Sequence, residues 1–145
     1  MNHANQIIFD SLLAMTIAQV LKFIISSIKY KSFHTKALVS TGGMPSSHSA
    51  LVAAMSFSIY LYQGVDLFFA LALVTSLVVI HDSMGIRLEA SKHAVLLNKI
   101  AEKIEMSSEE INEGRPLKEP LGHLPIEVLA GVILGVLISL FNFYV

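Results

Sequence analysis

The sequence lacks cysteine and is poor in charged residues, and each shortage excludes several classes of protein. Without a cysteine among its 145 residues, the chain forms no disulfide framework, no thiolate zinc site and no cysteine nucleophile. Charged residues make up 14% of the chain and hydrophobic residues 54%, whereas a typical soluble domain is about 25% charged. This leaves too little polar surface for a water-soluble globule. The net charge of −1 is close to neutral, so nothing favours nucleic-acid binding.

The apolar residues are concentrated in four runs, which predict an all-α integral membrane bundle of about four transmembrane helices in a single domain. A helix needs about 20 apolar residues to cross a bilayer. The first and last runs are long enough alone, whereas the second and third are shorter and are joined by a tight turn around Gly64. In the last run, Gly131 and Gly135 have the spacing that permits close helix packing in lipid. The predicted spans are residues 7–28, 47–62, 67–81 and 125–144, with an amphipathic loop over residues 86–118.

The basic residues predict the orientation of the bundle. Four spans place the loop 29–47 and the segment 81–125 on one face, and the termini and the hairpin turn on the other. Nine of the ten Lys and Arg residues lie in those two segments, and the tenth, Lys22, lies inside the first span. The positive-inside rule therefore places both segments in the cytoplasm. Within the longer one, Leu96, Ile100 and Ile104 recur at helical spacing, which indicates a helix on the membrane surface or a solvated connector packed on the bundle.

Two polar loops lead into the second and fourth spans on the same face. They are Thr41–His48 and Gly122–Glu127, and each contains a proline, Pro45 or Pro125, positioned to be the first helical residue. Two helix N-termini would then face one polar layer with unpaired N–H groups and partial positive charge. Such an arrangement favours an anion, phosphate above all.

Ionisable side chains converge on this layer. His123 and Glu127 are four residues apart, so the carboxylate can fix the tautomer of the imidazole. Together with His48 at the start of the other helix, these two residues supply the groups needed for a nucleophile, its orienting group and a proton donor. Structural interpretations stay open: the first loop as a helix cap, Lys22 as a side chain reaching to the interface, and Arg87 and Lys118 as topology anchors. Their convergence favours a functional site.

Two of these segments resemble known motifs. Pro45-Ser46-Ser47-His48 resembles the P-S-G-H motif of the type 2 phosphatidic acid phosphatase and vanadium haloperoxidase superfamily. The segment His123–Gly131 resembles the third motif of that superfamily, H-x-P-x-D-V-x-A-G. Nearly the whole chain is similar to the small divergent branch of the superfamily, found in bacteria and plant plastids.

The resemblance implies a phosphatase that needs no metal or cofactor and acts on a membrane-associated phosphate monoester or pyrophosphate, such as a lipid or polyprenyl phosphate. His123 would form a phosphohistidine, Glu127 would orient it, and His48 would protonate the leaving oxygen. The implied phosphate-binding residues are Ser46, Ser47, Lys22, Arg87 and Lys118, with Gly43, Asp82 and Gly122 in support.

The implied setting is a bacterial plasma membrane, with the phosphorylated lipid and the membrane as partners and a homo-oligomer left open. The alternative function is a non-catalytic membrane protein that binds or translocates a phosphorylated lipid.

The chain departs from the superfamily pattern in its cations. The first motif, K-x6-R-P, is represented at most by Lys22, and Leu117 stands where the third motif has its Ser-Arg pair. Arg87 is the first choice to replace the missing guanidinium, and Lys118 the second. In the second motif Ser47 replaces the usual glycine.

Overall fold

The structure, a computed structural model, describes residues 2–31, 42–103, 117 and 122–145, with Tyr30, Ile86 and Arg87 described by their backbone alone. All regular structure in these ranges is helical, which confirms the predicted all-α bundle. The helices are α1 (His3–Tyr30), α2 (Ser47–Gln63), α3 (Leu67–Met84), α4 (Ile86–Lys103) and α5 (Pro125–Tyr144).

Within the described ranges, three stretches are long and apolar enough to cross a membrane, judged by length and composition: His3–Lys29, Leu67–Lys103 and Pro125–Tyr144. The second stretch combines α3 with α4. The 17-residue α2 is not in this set, but it packs against α1, α3 and α5 and so lies at the centre of the bundle. The chain is thus a helical membrane bundle, and its division into four spans stays a prediction.

Helices α2 and α5 run in the same direction, and α1 runs opposite to both. At one end of the bundle, Ser46 donates its N–H to the carbonyl of Glu127 in the first turn of α5, at 2.9 Å. At the other end, the ring of Tyr62 lies 5.2 Å from that of His3 and 5.3 Å from that of Phe143. The starts of α2 and α5 therefore share one end, and the start of α1 shares the other with the ends of α2 and α5.

Helices α2 and α5 approach each other closely because of two glycines. A Cβ on Gly131 would lie 2.4 Å from the carbonyl oxygen of Ser46, and one on Gly135 would lie 2.4 Å from that of Ala50. Both distances are far inside van der Waals contact, so only glycine fits. The close packing predicted from their spacing is confirmed.

Side-chain caps and a proline set the starts of these helices. The hydroxyl of Ser46 accepts the N–H of Ser49 at 3.3 Å, so Ser46 is the N-cap and α2 begins at Ser47. The prediction that Pro45 is the first helical residue is therefore wrong: a serine that caps the helix holds Pro45 outside it. Helix α5 does begin at Pro125, as predicted.

Gly85 separates α3 from α4. Its φ of −94° and ψ of −96° are not helical. Its N–H still donates to the carbonyl of His81 at 2.8 Å, and its carbonyl accepts the N–H of Glu89 at 3.0 Å. The helical backbone geometry is thus interrupted at Gly85 while its backbone groups stay hydrogen bonded.

Helix α4 has one packed face and one apolar exposed face. Ala94 and Ala101 are buried, whereas Leu96 and Ile100 are exposed. The helix predicted in this loop is therefore present. Its exposed apolar face suits a position on the membrane surface, and its buried face suits a connector packed on the bundle. Ile104 lies outside the described residues.

Candidate functional site

The centre of the site is the contact between His123 and Glu127. Oε2 of Glu127 lies 3.1 Å from Nδ1 of His123 and accepts the backbone N–H of Leu124 at 3.1 Å. Since a carboxylate oxygen only accepts, Nδ1 carries the hydrogen, and in the neutral ring the lone pair is on Nε2. His123 is buried, with 2% of its surface exposed. The carboxylate therefore fixes both the tautomer and the direction of the ring.

The loop that carries His123 is held against the junction of α3 and α4. The backbone N–H of His123 donates to the carbonyl of Ser83 at 3.1 Å. Gly122 lies directly on the backbone of Leu88, since a Cβ there would be 2.4 Å from the Cα of Leu88. Neither Ser83 nor Leu88 was predicted from the sequence. The one signal was the glycine before the motif histidine, which can mark a close backbone approach.

Lys22 brings a buried basic side chain to the site. It is 1% exposed and lies within electrostatic reach of the carboxylate of Glu127. Its methylene groups pass beneath Gly43, where a Cβ would lie 3.4 Å from Cγ and Cδ of Lys22. Gly43 has a φ of +102°, a conformation that favours glycine. The burial contradicts the interpretation of Lys22 as a side chain that reaches out to the interface.

The start of α2 forms the other side of the site. Ser46 is fully buried and Ser47 is 6% exposed, whereas His48 is exposed. The hydroxyl of Ser46 accepts the N–H of Ser49 at 3.3 Å and its hydroxyl at 2.9 Å, which leaves the Ser46 hydrogen to donate elsewhere. The N-termini of α2 and α5 thus meet in one layer, and both direct positive dipole ends toward it.

Three further residues were predicted for the site. Asp82 lies in the last turn of α3, beside Ser83, and lines a surface cleft of about 470 Å³ with His81. Arg87 lies in the first turn of α4, immediately before Leu88. Lys118 lies outside the described residues.

Comparisons with known proteins show which family the chain belongs to. Residues 3–138 match the divergent PAP2 family. The chain belongs to that family. A relative from Bacillus subtilis (strain 168), named "Uncharacterized membrane protein YuiD", is 36% identical over 143 residues, which cover 92% of this chain and 90% of the relative. No solved structure matches the chain. The predicted resemblance to the divergent branch is confirmed, and so is a place among membrane proteins.

Proposed function

We propose that the protein hydrolyses a membrane-associated phosphate monoester or pyrophosphate, without a metal, through a phosphohistidine on His123. The observation that carries the proposal is the pair of 3.1 Å contacts by which Glu127 fixes the His123 ring and the Leu124 N–H. Membership of the divergent PAP2 family supports a phosphatase-related activity. Buried Lys22 and two helix N-termini add the positive charge that phosphoryl transfer requires.

In the proposed reaction, Nε2 of His123 attacks phosphorus, and the bond from phosphorus to the leaving oxygen breaks. His48 donates a proton to that oxygen. In the second step, water gives up a proton to His48 and attacks phosphorus, so the P–N bond breaks and phosphate leaves. The Glu127 carboxylate stabilises the ring while it is positively charged. Lys22, the hydroxyl groups of Ser46 and Ser47 and nearby backbone N–H groups bind the phosphoryl oxygens.

We assign the second cation of the site to Arg87 rather than Lys118. The residue after Arg87, Leu88, touches Gly122 through its backbone, and Gly122 immediately precedes His123. The backbone of Arg87 thus lies close to the loop that carries His123. Arg87→Lys keeps the charge but loses the bidentate fork, so it should impair phosphate binding more than Lys118→Ala does. The opposite ranking would transfer the role to Lys118.

A groove between α1 and α2 supports a lipid as the substrate. It has a volume of about 550 Å³ and is lined mainly by apolar side chains, including Ile8 and Leu12 of α1 and Leu51 and Met55 of α2. Leu51 is one helical turn beyond Ser47 at the site. A substrate whose phosphate lies at the start of α2 could therefore place an apolar chain in this groove. Lipid phosphates should then be cleaved faster than a soluble phosphate ester.

The test is phosphate release by purified protein in detergent with EDTA, from a panel of lipid and polyprenyl phosphates. Wild type should release phosphate, His123→Ala should not, and His48→Ala should accumulate an acid-labile phosphohistidine. Release by His123→Ala at the wild-type rate would refute the assignment. If wild type binds these lipids but cleaves none, the alternative of a binding or translocating protein takes its place.

A further inference from the structure

Helix α4 begins at the boundary between the apolar bundle and water. Helix α3, which precedes it, has 18 residues and is about 27 Å long at ~1.5 Å per residue. This length is close to the ~30 Å thickness of the hydrocarbon core of a bilayer. The last turn of α3 lies at the face of the bundle that carries the site, because the carbonyl of Ser83 accepts the N–H of His123. The first turn of α4 therefore lies at the level of the lipid headgroups on that face.

One side of α4 is covered by the chain itself. Ala94 and Ala101 are 6% and 9% exposed. Asn98 lies one helical turn from each of them, and its side-chain amide donates to the carbonyl of Leu117 and accepts the N–H of Leu117, both at 3.0 Å. This side of the helix is therefore not available to a partner.

Another side of α4 exposes large apolar side chains. Leu96, Leu97 and Ile100 are 57%, 51% and 44% exposed. Leu96 and Leu97 lie four and three residues before Ile100, so the three side chains form one strip on the helix surface. A helix that starts at headgroup level can bury such a strip by lying along the membrane surface, with the strip against the acyl chains.

A row of lysines borders the strip. Lys92, Lys99 and Lys103 are exposed, and Leu96 is four residues from Lys92 and three from Lys99, so the row and the strip are neighbours. Lys92 pairs with Glu89 at 2.6 Å. No acidic side chain in the described part of the chain forms an ion pair with Lys99 or Lys103. Helix α4 as a whole has four basic residues and two acidic ones, so its charge is complementary to an anionic surface.

We propose that α4 binds anionic phospholipids at the membrane surface. The acyl chains lie against Leu96, Leu97 and Ile100, and the lipid phosphates lie against the ammonium groups of Lys99 and Lys103. A lysine stem can lie on apolar surface while its ammonium group reaches the headgroups, and basic residues at this level attract anionic lipids. A second copy of the chain suits this face less well, because a symmetric contact would bring two lysine rows together. The proposal does not rest on the chemistry at His123.

Tryptophan fluorescence tests the proposal, because the chain contains no tryptophan. Leu97→Trp would be reconstituted into phosphatidylcholine vesicles that contain a minority of phosphatidylglycerol. In one preparation the phosphatidylglycerol has brominated acyl chains, which quench tryptophan on contact, and in the other an equal amount of the phosphatidylcholine is brominated instead. Quenching by the brominated anionic lipid should be stronger by about twofold or more.

Two controls separate recognition of the anionic lipid from simple contact with the bilayer. Leu137→Trp places the reporter on α5, where Leu137 is 57% exposed away from the lysine row, and both lipids should quench it equally. Adding Lys99→Gln and Lys103→Gln to Leu97→Trp should abolish the preference but keep the quenching.

Three results would overturn the proposal. Absence of quenching at position 97 by either lipid would show that water or protein covers the strip. Equal quenching by the two lipids would show that α4 does not select anionic lipids. A preference that survives both lysine substitutions would show that the lysine row does not bind them. Leu96→Trp, at another exposed position of the strip, gives the same readout if Leu97→Trp does not fold.

Discussion

The carbonyl oxygen of Ser46 occupies the space that a Cβ on Gly131 would need, at a distance of 2.4 Å. The N–H of the same Ser46 donates to the backbone of Glu127 at 2.9 Å. Gly131 therefore sets the distance between Ser46, which caps α2, and the first turn of α5, where the carboxylate of Glu127 orients His123.

Replacing Gly131 by alanine should push these two elements apart. Overpacking of this kind costs about 1–3 kcal/mol, so Gly131→Ala should lower the thermal unfolding temperature in detergent and sharply reduce phosphate release. Gly135→Ala is the matched control, because its Cβ would meet the carbonyl of Ala50 at the same 2.4 Å, one turn farther from the site. It should lose comparable stability but keep more activity per folded molecule. Equal activity in the two variants would show that Gly131 acts only in packing.

The charge of Glu127 should matter more than its length. Glu127→Gln keeps the size of the side chain but loses the negative charge that stabilises the phosphorylated ring in the proposed reaction, so kcat should fall on the order of 10²- to 10⁴-fold with little change in KM. Glu127→Asp keeps the charge and restores the residue usual in the superfamily, so it should retain more activity. Steady-state kinetics on a cleaved lipid phosphate would measure both. A glutamine variant faster than the aspartate variant would show that the length of the side chain matters more than its charge.

Loss of the Lys22 charge should weaken anion binding. Lys22→Met keeps the methylene packing beneath Gly43 and removes one cation, and a hydrogen bond to a charged group contributes about 1.5–3 kcal/mol. The inhibition constant of inorganic phosphate should therefore rise about 10-fold or more. Lys99→Met, an exposed substitution on α4, should leave it unchanged. If inorganic phosphate inhibits wild type and Lys22→Met equally, Lys22 does not bind the phosphate.

The distribution of basic residues predicts that the site faces the cytoplasm. Single cysteines in this cysteine-free chain can report the orientation, at Val65 in the hairpin turn, 79% exposed, and at His93 on the exposed side of α4. In intact cells an impermeant maleimide should label Val65→Cys and spare His93→Cys. As the control, both variants should be labelled after the cells are opened. Labelling of position 93 alone in intact cells would reverse the orientation.

The sequence predicts local features of this protein well. Apolar runs located the helices, and the four-residue spacing located the contact of His123 with Glu127, because both depend on residues close in the chain. Contacts between distant segments left no such pattern. The anchoring of His123 by the carbonyl of Ser83 involves only backbone, which any residue could provide.

Asp10 was missed for a related reason. It is a single acid in an apolar run, and it is buried against the hydroxyl of Ser58 and the amide of Asn142, which are far away in sequence. A lone serine in a membrane helix carries no information about its partner. Pro45 was misplaced because either a proline or a serine can start a helix, and their order alone does not decide which one does.

The parallel arrangement of α2 and α5 has a thermodynamic consequence. Two aligned helices with adjacent N-termini place like partial charges side by side, which opposes the folded state while the layer between them holds no anion. An anion bound there relieves this repulsion in the folded chain and has no equivalent place in the unfolded one. Because the anion binds only the folded chain, its binding stabilises the bundle against unfolding. The bundle should therefore be most resistant to heat when its phosphate layer is occupied, and inorganic phosphate should raise the unfolding temperature where chloride at equal ionic strength does not.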